Sequence, residues 1–282
     1  MRHFGNLVRD PGGGARGRPL VVEALRKSFG ARVAVDGLTL RVDPGEVVGL
    51  LGRDGAGKTV SFGLIMGLLR ADSGRILLGD AEVTARSADR RARLGLTCLP
   101  QEASIFRGMT VEQNIAAVLE ICESDADARA SRLESILQEF QLAHLRRIPA
   151  IHLSGGERRR CEIARATAAS PAIMLLDEPF AGIDPLAIAD IKRAIRALKA
   201  RNVGLLVSDH DLHDMLELIE RAYVLHEGRL IFAGPPARML ADPDVRRLYL
   251  GPETEQLRAA LQGRGQRSDS VLSPNVPVRA LD

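Results

Sequence analysis

At 282 residues and 45% apolar composition, the chain is long enough for one large domain or two small ones and has the make-up of a soluble globular protein. No run approaches the ~18 apolar residues of a membrane span, and the opening M-R-H-F-G-N-L-V-R-D has no apolar core of signal-peptide length, so a cytoplasmic chain is expected. The net charge of +3 sits in residues 1–19, where Arg2, Arg9, Arg16 and Arg18 face only Asp10; the neutral remainder argues against a nucleic-acid-binding face.

Residues 1–19, rich in Gly and Pro, read as a disordered basic leader. Leu20 to Leu25 and Leu38 to Val42 read as strands, with Phe29 between them, and Pro44-Gly45 turns the chain into a third apolar run, Val47 to Leu51. That run breaks into Gly52-Arg53-Asp54-Gly55-Ala56-Gly57-Lys58-Thr59, which fits the G-x-x-x-x-G-K-S/T phosphate loop in full. The glycines let the backbone turn and approach a phosphate chain without a Cβ in the way. The amides then form an anion nest at a helix start. Lys58 can reach the β- and γ-phosphates, and the Thr59 hydroxyl can ligate magnesium. Phe62, Ile65, Met66 and Leu69 give the following helix its apolar face.

Arg75 to Leu78 reads as a strand, and L-T-C-L-P-Q as another ending at Gln101. Val111, Ile115, Val118 and Cys122 mark one amphipathic helix, and Leu133, Ile136, Leu137 and Phe140 a second, so residues 103–165 read as a helical insert. L-S-G-G-E-R-R-R, from Leu153, opens a further helix. Ser154 with Gly155 and Gly156 can form a second anion site, while Ser154 and Glu157 also satisfy a capping box. Ile173 to Leu176 is a buried strand ending in Asp177-Glu178-Pro179. A carboxylate there faces the ligand edge of a parallel sheet, so Asp177 can hold magnesium and Glu178 can polarise the attacking water. A helix through Ile188 and Leu198, a strand Val203 to Ser208 ending at Asp209-His210, and a hairpin of Ala222 to His226 with Arg229 to Phe232 complete the body. Such alternation implies a mostly parallel, doubly covered α/β sheet. Residues 252–282 read as a weakly structured tail, with a short helix at Glu255 to Leu261. Cys98, Cys122 and Cys161 are widely spaced and read as buried free thiols.

These motifs, in this order, make the chain resemble the ATP-binding cassette (ABC) ATPases over roughly residues 20 to 240. The resemblance implies a P-loop NTPase with a RecA-like core, an N-terminal antiparallel β region and an inserted helical subdomain, together spanning 20–251. It implies Mg-ATP as ligand and an ATP hydrolase. Phe29 would stack on adenine; Gly52, Arg53, Asp54, Gly55, Ala56, Gly57, Lys58, Thr59 and Val60 would hold the phosphates; Lys58, Glu178 and His210 would be catalytic. Gln101 would sense the γ-phosphate and, with Thr59 and Asp177, the metal. Ser154, Gly155 and Gly156 would touch ATP bound by an opposite copy, and the loop ending at Asp184 would cross between copies, so a homodimer is implied.

L-P-Q-E-A-S-I-F-R and R-R-L-Y-L-G further resemble the ATPase subunits of lipopolysaccharide-transport exporters, with branched-chain amino-acid importers as the alternative. Such a subunit would lie peripherally on the cytoplasmic face of the inner membrane, with integral-membrane permease subunits docking near Glu102 to Arg107. Within that stretch Ile105 and Phe106 are adjacent apolar residues that need a cover, from the protein's own helices or from a partner. Three positions depart from the family pattern: Asp54 for Asn, Val60 for a hydroxyl residue, and Cys98 for Tyr. The first two are expected to weaken nucleotide binding without removing it.

Overall fold

The near-continuous apolar strands imply burial on both faces, and the computed structural model, which describes residues 17–209 and 212–251, has that arrangement. The central sheet has the order β10-β9-β3-β8-β7-β6. It is built from β3 (Val47–Gly52), β6 (Leu96–Leu99), β7 (Ile173–Asp177), β8 (Gly204–Ser208) and β9 (Arg221–His226), all parallel, with β10 (Arg229–Gly234) antiparallel at the edge. Successive residues of one strand face different layers. In β3, Val47 and Leu51 join one apolar cluster and Val48 and Leu50 the other. In β7, Met174 and Leu176 face the first cluster and Ile173 and Leu175 the second. Period-2 alternation thus persists in geometry even where no polar residue marks it in sequence.

The second cluster is closed by an antiparallel sheet, β2-β1-β4-β5, and by α1 (Lys58–Met66). Its strands are β1 (Leu20–Phe29), β2 (Arg32–Val42), β4 (Ser73–Leu78) and the two-residue β5 (Ala81–Glu82). The first cluster is closed by α3 (Val111–Cys122), α4 (Ala126–Glu139), α5 (Gly155–Ala168) and α6 (Pro185–Ala200). A single apolar cluster runs from Ile115 and Leu137 through Ile163 to Met174, so the inserted helices are packed continuously with the sheet through α5.

Several boundaries differ from the sequence reading. β1 continues to Phe29 and β2 begins at Arg32, so Phe29 ends a strand instead of lying between two. A bulge at Ala24, whose φ is 46° and whose N–H donates to Thr39 Oγ1, breaks the alternation that would have announced the full strand. β6 ends at Leu99, two residues short of Gln101. α2 (Ala88–Arg93) has no apolar face to reveal it. It is held by Arg91, which is buried and donates to the carbonyls of Leu64, Ile65, Thr84 and Arg86. His210, most of the basic leader, and the tail from residue 252 with its expected helix lie outside the described residues.

Candidate functional site

Parallel strands of one sheet end along one edge, and here β3, β8, β7 and β6 deliver Gly52, Ser208, Asp177 and Leu99 to it. After β3 the chain forms a tight loop into α1. Gly57 caps that helix in the left-handed region, with φ 106°, and a Cβ there would sit 2.5 Å from Ala34 O of β2. The first turn of α1 carries no acidic residue and no side-chain cap, so its N–H groups are left for an anion. Lys58 is buried and donates from Nζ to Gly52 O at 2.6 Å and Arg53 O at 3.2 Å. Asp54 is almost fully exposed, with Oδ1 4.0 Å from Lys58 Nζ. Val60 is partly buried against the core, and Thr59 is exposed.

Asp177 is buried at the end of β7, and its Oδ1 accepts from Ser208 Oγ at 2.6 Å. Glu178 follows with φ 46°, an uncommon conformation for a residue with a side chain, fixed by its N–H donating to Ser208 O. Gln101 Nε2 donates to Glu178 Oε2 at 2.8 Å, so residues 77 positions apart meet at one point.

That meeting depends on residues to which the sequence reading gave no role. Arg159 of α5 is buried and donates to four backbone carbonyls: Pro100 at 2.9 Å, Asp177 and Glu178 at 3.0 Å, and Pro179 at 3.3 Å. It also pairs with Glu162 at 3.2 Å. Glu162 in turn accepts from the N–H groups of Ser104 and Ile105. Arg165 donates to Ser104 O and Oγ, and its guanidinium lies 4.9 Å from the centre of the Phe106 ring. Burial lowers the Arg165 pKa. Asn114 of α3, fully buried, accepts from Phe106 N–H and donates to Phe106 O. Nothing in the spacing of E-R-R-R-C-E-I-A-R marks these as loop-holding residues, because their targets lie about 60 positions away. Ile105 is buried in the first cluster, while Phe106 is half exposed.

Ser154 caps α5 and forms the capping box: its Oγ accepts from Glu157 N–H, and the Glu157 carboxylate accepts from Ser154 N–H and Oγ at 2.8 Å. Those bonds hold the Glu157 carboxyl below its usual pKa. A Cβ on Gly156 would fall 2.3 Å from Ala187 Cβ, so α5 packs its start onto the first turn of α6, which Asp184 caps through Ala187 N–H. This second helix start therefore leans on α6, whereas the phosphate loop leans on β2 and on the β9–β10 turn, where Gly228 N–H donates to Ala56 O. Phe29 is half exposed at the end of the β1–β2 hairpin, with Lys27 Nζ 5.4 Å above its ring. Cys98 lies partly buried on β6, where burial and the neighbouring Asp177 push its thiol up to about 12. No group of three His, Cys, Asp or Glu side chains converges on a point among the described residues.

The sequence matches the ABC transporter family over residues 35–181. It is 55% identical over 234 residues to a probable ABC transporter ATP-binding protein of Azorhizobium caulinodans, covering 83% of each chain. It is 45% identical over 235 residues to the lipopolysaccharide export system ATP-binding protein LptB of Escherichia coli K12, covering 83% of this chain and 98% of that one. Among solved structures it is similar to an ATP-binding cassette of an ABC transporter in its ADP conformation, with TM-score 0.74 and 30% identity over 83% of this chain and 99% of that one. A strand edge that ends in a phosphate loop, an Asp-Glu turn and a clamped glutamine loop, in a sequence this similar, places the chain in the ABC transporter ATP-binding family: it has the P-loop NTPase fold and is an ATP-hydrolysing transporter subunit similar to LptB.

Proposed function

We propose that this subunit hydrolyses Mg-ATP to power the extraction of lipopolysaccharide from the inner membrane toward the outer one, working as a homodimer bound to integral-membrane permeases. The observation that carries this reading is the loop from Gln101 to Arg107. It joins the Glu178 carboxylate at one end, through the 2.8 Å bond to Gln101, to a half-exposed aromatic at the other. Ile105 is the loop's own core anchor; Phe106 is left for a partner, with Met109 and Ile151 also exposed on the backbone-paired segment beside it. An exposed aromatic beside a rigidly held loop suits a short helix seated in a groove. The lipopolysaccharide cargo rests on the E-A-S-I-F stretch and the similarity to LptB. No helix among the described residues is long and apolar enough to cross a membrane. In this reading the permeases carry the transport path, and this chain is peripheral on the cytoplasmic face.

In this reading Phe29 stacks the adenine, the amides from Gly52 to Val60 and the Lys58 ammonium hold the phosphates, Glu178 orients the attacking water, and His210 contacts the γ-phosphate. The donor set suits magnesium: a threonine hydroxyl (Thr59), one carboxylate (Asp177) and an amide oxygen (Gln101) are hard oxygen ligands. This ion is held by one or two carboxylates plus substrate phosphates, with no dedicated cage. Bound magnesium would neutralise phosphate charge. The Ser208 hydroxyl, 2.6 Å from Asp177 Oδ1, fixes which way that carboxylate points. Ser154 to Gly156 complete the site of the opposite copy across the loop ending at Asp184. Residues 20–251 act as one nucleotide-binding unit, with its helical part at about 103–165 carrying motion to the permeases.

Co-purification tests the reading. Phe106→Ala should leave the isolated subunit's melting temperature and basal ATPase within error, since the ring is half exposed and its contact with Arg165 is worth only about 0.5–1 kcal/mol. Pull-down of the lipopolysaccharide-export permeases from solubilised membranes should fail with this variant and succeed with the unaltered chain. Unaltered protein that recovers amino-acid importer permeases instead would reassign the cargo.

A further inference from the structure

The hairpin that presents Phe29 also presents a cation without a partner. Phe29 ends β1 and pairs directly across the turn with Arg32, the first residue of β2. Arg32 and Ala34 share one face of β2, being two apart on a strand. Both meet the phosphate loop. Ala34 O abuts the position a Cβ on Gly57 would take, and Arg32 Nη2 lies 3.9 Å from the position a Cβ on Gly55 would take. Arg53 of the loop is exposed, and the other neighbouring cations are engaged elsewhere. Lys27 Nζ is 2.9 Å from Asp72, Arg26 and Arg229 both face Asp36, and Lys58 turns into its own loop. The Arg32 side chain has no ion pair or hydrogen bond among the described residues, and Asp54, the acid of the same loop, pairs at 4.0 Å only with Lys58 among them.

We infer that Arg32 is a further phosphate ligand of the nucleotide site, its guanidinium donating to the polyphosphate of an ATP whose base rests on the paired Phe29. The inference deepens the ATP-binding reading and depends on it. A nucleotide running from the Phe29 ring to the loop amides passes along the hairpin face that carries Arg32. A planar guanidinium suits a pair of phosphate oxygens. Its charge offsets Asp54, whose carboxylate stands in the loop where it opposes the phosphates.

Equilibrium displacement of a fluorescent ATP analogue from the full chain decides the point, with ATP and adenosine as competitors and with Arg32→Ala and Arg26→Ala as variants. Arg26→Ala removes the same charge from the same sheet but from a residue already paired with Asp36. Arg32→Ala should weaken ATP about ten-fold at low salt, the scale of one lost hydrogen bond to a charged group. Adenosine should be unaffected, Arg26→Ala should bind ATP normally, and the Arg32 effect should shrink as salt rises. Unchanged ATP affinity in Arg32→Ala would overturn the inference. So would an equal loss for ATP and adenosine, which would mean a disturbed Phe29 platform, or an equal loss in Arg26→Ala, which would mean a diffuse field. If the unaltered chain binds ATP no better than adenosine, the nucleotide reading itself falls; if it binds ATP well and Arg32→Ala matches it, only the role of Arg32 falls.

Discussion

The turn after β3 and the turn after β6 both close strands of one sheet at one edge, yet they are held in place by different kinds of contact. The first is set largely from within, with β2 and the β9–β10 turn packed against it. Gly52 and Gly57 adopt positive φ, Lys58 bonds to the carbonyls of residues 52 and 53, and Ala56 N–H bonds to Arg53 O. The second has almost no bonds of its own. Pro100, Ser104, Ile105 and Phe106 are held by Arg159, Glu162 and Arg165 of α5 and by Asn114 of α3. The second loop therefore takes its position from α5, the helix that Ser154 caps.

The largest expected effect comes from breaking the remote support. Arg159→Met leaves four backbone carbonyls without their guanidinium donor and Glu162 without its ion-pair partner, and should cost about 3–5 kcal/mol of stability, read by chemical denaturation. A loss below about 1 kcal/mol would mean the second loop holds itself. Next in size is Glu178→Gln, at the carboxylate that the turn after β6 reaches through Gln101. Loss of one preorganised electrostatic group should lower turnover by about 10²–10³ while ATP binding survives, trapping a dimer visible by size exclusion with Mg-ATP. A variant that hydrolyses normally and stays monomeric would remove Glu178 from the chemistry.

Breaking the self-held loop is expected to do less to the fold. Gly57→Ala places a Cβ 2.5 Å from Ala34 O at a φ of 106°, a strain of about 1–3 kcal/mol, and ATP affinity should fall with it because the amides splay. Retained nucleotide affinity in a stable variant would show that β2 can give way. The smallest effect sharpens the comparison without breaking either side. Asp54→Asn removes an exposed charge from the rim and should tighten ATP about two- to three-fold at low ionic strength and not at all at high salt. Looser binding after this change would mean that the Asp54 carboxylate supports the loop through Lys58.

The sequence by itself determined the phosphate loop, the Asp177-Glu178 strand end, the Ser154 capping box and the doubly covered sheet. Each is written in residues close enough in the chain for backbone geometry and period to dictate the result. It also singled out Ile105 and Phe106 as a pair, but only tertiary packing separated them, burying one in the cluster around α3 and α5 and leaving the other half exposed over Arg165. The same holds for the meeting of Gln101 with Glu178, the extended β1 that carries Phe29 to its end, and the four carbonyls gathered by Arg159. These depend on which strands lie side by side and on where a long side chain finds unsatisfied carbonyls. Local propensity is silent on both, because the partners lie tens of residues apart and the choice between them is made by what the folded core leaves without a hydrogen bond.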